Sequence, residues 1–175
     1  MHHATHCPRL NYVPLGNAYA GQSCSIASTL EAVGERWTLL ILRDVMLGVH
    51  RFDEFQADLG IARNVLQARL QRLIATGILE RRRYQEHPAR DAYHLTEAGR
   101  DLWPVIVSLM QWGDTHAPRP GGPPVRLEHR DCGGDVDGHR MCARCGARLS
   151  IADVVGIAGA SANERHPLRR QYGRA

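Results

Sequence analysis

Near the C-terminal end of the chain stand His129, Cys132, Cys142 and Cys145, spaced His-x2-Cys-x9-Cys-x2-Cys. Two ligand pairs, each separated by two residues, are what a tetrahedral metal ion takes from two tight turns, and three thiolates with one imidazole suit zinc. Gly133 and Gly146 each follow a cysteine directly, letting the backbone turn and aim N–H groups at the thiolates. Arg130, Arg140, Arg144 and Arg148 surround the cluster and would offset its negative charge. Four protein ligands leave no open coordination position, so the expected zinc is structural and not catalytic. The chain has ten His, which makes the His-x2-Cys half less specific, and His139 is a reserve fourth ligand. A segment this small cannot fold on apolar burial alone, so the metal would supply its stability.

A second constellation spans Ile61 to Leu95, with seven Arg against three acids, a balance of +4, whereas residues 24–60 hold three Arg and six acids, a balance of −3. Positive charge concentrated on one helix and the ribbon behind it is the electrostatic footprint of a duplex-DNA reader. The helix, Ala62 to Thr76, places Leu66, Leu70 and Leu73 on one side with Ile74 nearby. Asn64, Ala68, Gln71 and Ala75 fall on the other, flanked by Val65, Gln67 and Arg72. Asn and Gln can pair bidentately with adenine, and Arg with guanine or phosphate. Ala62 departs from a strong start, standing where a Ser or Thr cap is expected. After Gly77 comes a hairpin, Ile78 to Tyr84 and Asp91 to Thr96, turning at Glu86-His87-Pro88-Ala89, with Arg81, Arg82, Arg83 and Arg90 on its arms.

The elements that must position these groups are legible in outline. Residues 1–23 read as an irregular arm. A helix from Ser25 carries Ile26, Leu30 and Val33 on one face, Trp37 to Leu47 is apolar almost all round, and a short helix groups Phe52, Phe55 and Leu59. Thr96 can cap a long helix, Glu97 to His116, with Pro104 starting a turn or a kink. Leu102, Val105, Ile106, Leu109 and Trp112 give that helix more apolar surface than one monomer's core requires, which predicts a homodimer. Residues 117–124, with four Pro and two Gly, read as a linker, 125–158 as a zinc ribbon, and 159–175 as a basic flexible tail carrying Arg165, Arg169, Arg170 and Arg174. The fold class expected is mainly α with a small β-wing (α+β), followed by a small zinc-ribbon-like β module.

The ordered series Cys24, Gly34-Glu35-Arg36-Trp37-Thr38-Leu39-Leu40-Ile41-Leu42-Arg43, Arg51-Phe52-Asp53-Glu54-Phe55, Leu66, Arg69-Leu70, Leu73, Gly77-Ile78-Leu79-Glu80-Arg81, Tyr93-His94-Leu95-Thr96-Glu97-Ala98-Gly99 and Trp112-Gly113 resembles the HxlR family of bacterial regulators, relatives of MarR-like winged-helix proteins. The matching stretch, 24–116, is about half the chain. The resemblance implies a dimeric winged helix-turn-helix transcription regulator on a pseudo-palindromic DNA operator; a repressor is the expected output, and the residues themselves leave repression or activation open. It implies that Arg63, Asn64, Gln67, Ala68, Gln71 and Arg72 lie on the recognition helix and meet the major groove. Arg81, Arg82, Arg83, His87 and Arg90 would form the wing, touching phosphates or the minor groove, with Arg51 clamping a phosphate. A Cys-x2-Cys-Gly tail looks similar to that of some relatives.

Cys24 precedes the first helix, whose N-terminus favours a thiolate. Some HxlR-type regulators sense oxidants or electrophiles at the matching position, and the other reading is a small buried capping residue. Five Cys and no secretory signal argue against a disulfide framework, and no apolar run is long enough for a membrane, so the expected location is the cytoplasm. No nucleophile elbow, phosphate loop or metalloprotease motif is present, which points away from an enzyme. The alternatives are a thiol oxidoreductase using Cys142 and Cys145, or an RNA- or polymerase-associated zinc-ribbon protein. Nothing in the residues names an inducer.

Overall fold

The computed structural model describes residues 24–162 and 166–168. The arm 1–23, including Cys7, and the tail arginines 165, 169, 170 and 174 lie outside the described residues. Four helices come first: α1 (Ser25–Val33), α2 (Thr38–Met46), α3 (Phe52–Leu59) and α4 (Arg63–Ala75). An antiparallel hairpin follows, β1 (Leu79–Gln85) with β2 (Arg90–Leu95), paired from Leu79↔Leu95 to Gln85↔Arg90 with an irregularity at Tyr84. The segment before α3 adds a short third rung, an Arg51↔Ala92 bridge, with the Tyr93 N–H donating to the His50 carbonyl at 2.8 Å.

Local chemistry sets the boundaries. The Glu54 carboxylate accepts the backbone N–H of Arg51 at 3.0 Å, capping α3. Thr96 Oγ1 accepts the Gly99 N–H at 3.1 Å and donates to the Gly77 carbonyl at 2.7 Å, so one hydroxyl starts the next helix and ties the hairpin's exit to the end of α4. Ala62 gives α4 no side-chain cap.

The expected single helix from Glu97 to His116 is two: α5 (Glu97–Arg100) and α6 (Trp103–His116). The break falls at Asp101-Leu102 and Pro104 sits in the first turn of α6, where its missing N–H costs no helical hydrogen bond. Beyond 116 the chain forms β3 (Val125–His129) and β4 (Val154–Ala158), antiparallel, with a turn of 3-10 helix between them at Ile151–Asp153. Mainly α with two small two-stranded sheets is the α+β class expected.

Two cores hold this together. The first joins Val33, Ile41, Leu42, Phe55, Leu66, Leu70, Leu73, Leu79 and Ile106, the packed centre of the helix-turn-helix. The second joins Trp103 and Val107 of α6 to Val125, Leu127, Cys142, Leu149 and Val154, with Met46 and Leu47 of the α2 end packed alongside. The C-terminal module is therefore no loose appendage, since it shares a core with α6. The tail expected to be flexible contributes Ala162 and Leu168, both buried, the latter in that same core. No helix among the described residues is long and apolar enough to cross a membrane.

Candidate nucleic-acid interface and metal centre

Burial of Leu66, Leu70 and Leu73 fixes the rotation of α4, and the opposite side is left to solvent. Arg63, Asn64, Gln67, Ala68 and Gln71 are exposed there. Arg72 is not among them. It is half-buried and its Nη2 donates to the carbonyl of Glu31 on α1 at 2.6 Å, so the guanidinium expected at the major groove instead ties α4 to α1. Arg69 is held in the same direction by an ion pair with Glu35. Arg63 lies over the Phe52 ring at 4.9 Å, and Arg51 over Tyr84 at 4.8 Å. Both cations thus rest on aromatic faces that aim them without neutralising them, although Arg51 also lies 3.9 Å from Glu54.

Arg81, Arg82, Arg83, His87 and Arg90 are all exposed on the wing. Asp91 takes Arg83 at 2.9 Å and Arg81 at 3.5 Å, Glu86 takes Arg83 at 3.5 Å, and Glu80 takes Arg82. Arg90 has no ion pair among the described residues. An open groove of about 440 Å³ runs between the first turn of α4 and the wing, with Arg63 and Arg90 on its walls and Phe52, Tyr84 and Tyr93 lining it. At the wing root His50 and His94 stack with centroids 4.5 Å apart. Burial, then the neighbouring His50 and Arg82, holds His94 below the usual imidazole range.

The four C-terminal donors converge. The ligand atoms of His129, Cys132, Cys142 and Cys145 all lie within 4.8 Å of one another. His129 Nδ1 is 3.3 Å from Cys132 Sγ and 3.4 Å from Cys145 Sγ, and the sulfurs of Cys132 and Cys142 are 3.4 Å apart. A tetrahedron with zinc bond lengths has edges of about 3.8 Å between sulfurs and about 3.5 Å between sulfur and nitrogen, so the donor set fits such an ion. His139 lies outside the cluster, its backbone N–H bound to Asp137 at 2.8 Å.

β3 ends on His129 and delivers it to the cluster. Each half is a tight turn: the Gly133 N–H returns to the His129 carbonyl at 2.8 Å and the Gly146 N–H to the Cys142 carbonyl at 2.9 Å, with φ of 68° and 72°. The Gly133 and Gly146 N–H groups thus close the turns, and the turns aim other backbone N–H groups at sulfur, that of Gly134 at Cys132 and those of Cys145 and Arg144 at Cys142. N–H groups of Cys145 and Arg144 hold the Cys142 thiol down at about 6. Of the four arginines expected around the site, Arg144 donates to the Cys132 carbonyl at 2.6 Å and Arg130 to the Val154 carbonyl at 2.9 Å. They clamp the loops.

Cys24 is exposed at the N-cap of α1 and carries no buried capping role. The N–H groups of Ala27 and Ile26 lower its thiol below the usual range.

The HxlR-like helix-turn-helix model matches residues 32–120, just over half the chain and the whole span from α2 to α6. The chain belongs to the HxlR family. It is a transcription regulator with a helix-turn-helix DNA-binding domain. An HTH-type transcriptional regulator of Mycobacterium tuberculosis, itself uncharacterised, is 46% identical over 140 residues, covering 80% of this chain and 87% of that one. A 140-residue match within 175 residues takes in every position from 36 to 140, so this likeness crosses 117–124 and enters the C-terminal module. The crystal structure of PA1607, a candidate transcription factor, is 38% identical with a TM-score of 0.62, covering 76% of this HxlR chain and 93% of that one. The redox regulator HypR in its reduced form is 30% identical with a TM-score of 0.50, covering 54% and 94%.

Proposed function

We propose that the protein is a homodimeric repressor that reads a pseudo-palindromic operator with two copies of α4. The observation that carries this is the exposed row Arg63, Asn64, Gln67, Ala68 and Gln71, set beside a wing whose cations are all at the surface. Short polar groups on α4 approach base edges, while Arg51, Arg81, Arg82, Arg83, His87 and Arg90 hold the phosphate backbone. Arg72 supports this row from behind through α1.

The second copy is supplied through apolar surface that the monomer leaves open. Trp112 is 63% exposed and Leu109 50% on α6, and Ile26 is 69% exposed on α1. Covering these rows in a twofold dimer pairs two readers with two half-sites. An operator-bound dimer excludes polymerase, so repression is the direct output. The Cys3His centre holds a structural zinc ion: all four positions are protein donors, and engagement of Cys142 and Cys145 with His129 and Cys132 favours a metal site over a thiol oxidoreductase. The likeness to a redox regulator supports a thiol-borne signal, and Cys24 is one exposed thiol that could carry it.

Selection of bound duplexes from a random pool tests the reading. An inverted repeat with half-sites about 10 base pairs apart is expected, with affinity falling steeply as salt rises. A pool that enriches no repeat, or binding without salt dependence, would overturn it.

A further inference from the structure

The Cys3His centre lies against the helix that serves both the core and the exposed apolar surface. Cys142 is buried in one cluster with Trp103 and Val107 of α6, and Gln111, on the same helix, donates to the Val136 carbonyl at 3.2 Å. On the other side Gly156 of β4 packs against Leu47 at the end of α2. One contact shell therefore links the metal donors to α2 and α6, the elements that frame the reader. The donors are also within reach of solvent, for Cys145 is exposed and Cys132 half-buried.

We infer that the Cys3His centre is itself a thiol-oxidation site: a hypohalous acid converts two of its cysteines to a disulfide, expels the metal ion and releases the C-terminal module from α6, weakening operator binding. The exposed Cys145 thiolate attacks the chlorine of hypochlorous acid, forming an S–Cl bond as the Cl–O bond breaks and hydroxide leaves. A neighbouring cluster thiolate, Cys142 or Cys132, within 4.8 Å, then displaces chloride and closes the S–S bond. The two sulfurs lose two electrons and the chlorine gains them. Two donors are gone, and the remaining imidazole and single thiolate do not retain the ion. A small module whose fold depends on its metal then loses the packing it gives to Trp103 and Val107.

This inference rests on the zinc and duplex readings above. Their failure would show before any oxidant is added, as fresh full-length protein without zinc or as a random pool without enrichment. The test uses the zinc-loaded full chain and its selected duplex, titrated with hypochlorous acid. Expected are release of one zinc per chain into a chromogenic chelator, a disulfide mapped within Cys132, Cys142 and Cys145, and hydrogen exchange in Val125–His129 rising at least tenfold. Duplex affinity should fall at least tenfold, and reductant with added zinc should restore it. Cys24→Ser should respond as the unmodified chain does. Cys145→Ser removes one donor, and it should lower zinc content and duplex affinity before any oxidant is added. Zinc release with affinity unchanged would overturn the inference, and so would a response abolished by Cys24→Ser.

Discussion

Arg83 and Arg90 carry the same charge on the wing but differ in what they are free to do. Arg83 already spends its guanidinium on Asp91 and Glu86, and those pairs raise its affinity for its proton. Arg90 has no such competitor among the described residues, so Arg90→Ala should weaken all duplexes alike and lower the salt slope by about one, with Arg83→Ala costing less. Equal losses in a salt-series titration would reject that ranking. Gln71→Ala belongs to the other class of contact: it should relax preference at one base position by about 1–3 kcal/mol, read by repeating the selection with the variant. A buried acid sets the pH response. Asp44 is fully buried, bound through Oδ1 to Arg43 at 2.9 Å, while its Oδ2 has no hydrogen-bond partner among the described residues. Burial pushes its carboxyl up from 3.8 to about 7, so the folded chain holds a proton that the unfolded chain has shed. Stability should therefore decline as pH rises through that window and level off above it, and Asp44→Asn should flatten the slope. Melting temperatures measured from about pH 4.5 to 8 in both proteins check this; parallel curves would remove Asp44 as the cause.

At the scale of elements, periodicity placed α4 correctly because its three leucines leave only one way to bury the helix. The same periodicity misplaced Arg72, which lies at the border of the polar face and is turned inward by a carbonyl 41 residues away, a partner no local pattern reveals. Thr96 was legible as a cap, but the length of the helix after it was not, because the halt at Asp101-Leu102 serves the packing of Trp103. The two metal turns show a similar division. Ligand spacing announced the site, yet the choice of His129 over His139 depends on where β3 ends. Glycines in these turns differ in a way the sequence does not display. At Gly146 an added Cβ meets nothing within 4 Å, and only the positive φ of 72° opposes it. Gly146→Ala should cost about 1–2 kcal/mol and weaken zinc about tenfold in competition with a chelator. At Gly134 a Cβ would lie 2.5 Å from the Cys142 sulfur and 2.6 Å from the Arg144 side chain, so Gly134→Ala should weaken zinc considerably more. The reverse order would show that backbone strain, not crowding, governs the centre.

For the whole molecule, α6 joins what the sequence separates into domain, linker and module. Ile106 enters the helix-turn-helix core, Trp103 and Val107 enter the core of the module, and Val105, Leu109 and Trp112 remain at the surface. Composition marks residues 117–124 as a boundary, and the family segment ends at 120, so a chain cut there looks complete on paper. The second core predicts otherwise. Ending the chain at His116 would uncover Trp103 and Val107 together with Met46 and Leu47, all packed by the module in the intact protein. Each large apolar side chain returned to water forfeits about 1.5–3 kcal/mol, enough across several residues to lower the melting temperature by many degrees in a domain of this size. The truncated chain should also self-associate beyond a dimer, since a new apolar patch would lie on the same helix as the exposed one. Calorimetry and sedimentation of the two lengths decide between the pictures. A truncated chain that melts where the full chain does, and stays dimeric, would make the module an independent appendage, and its metal could not then reach the reader through α6.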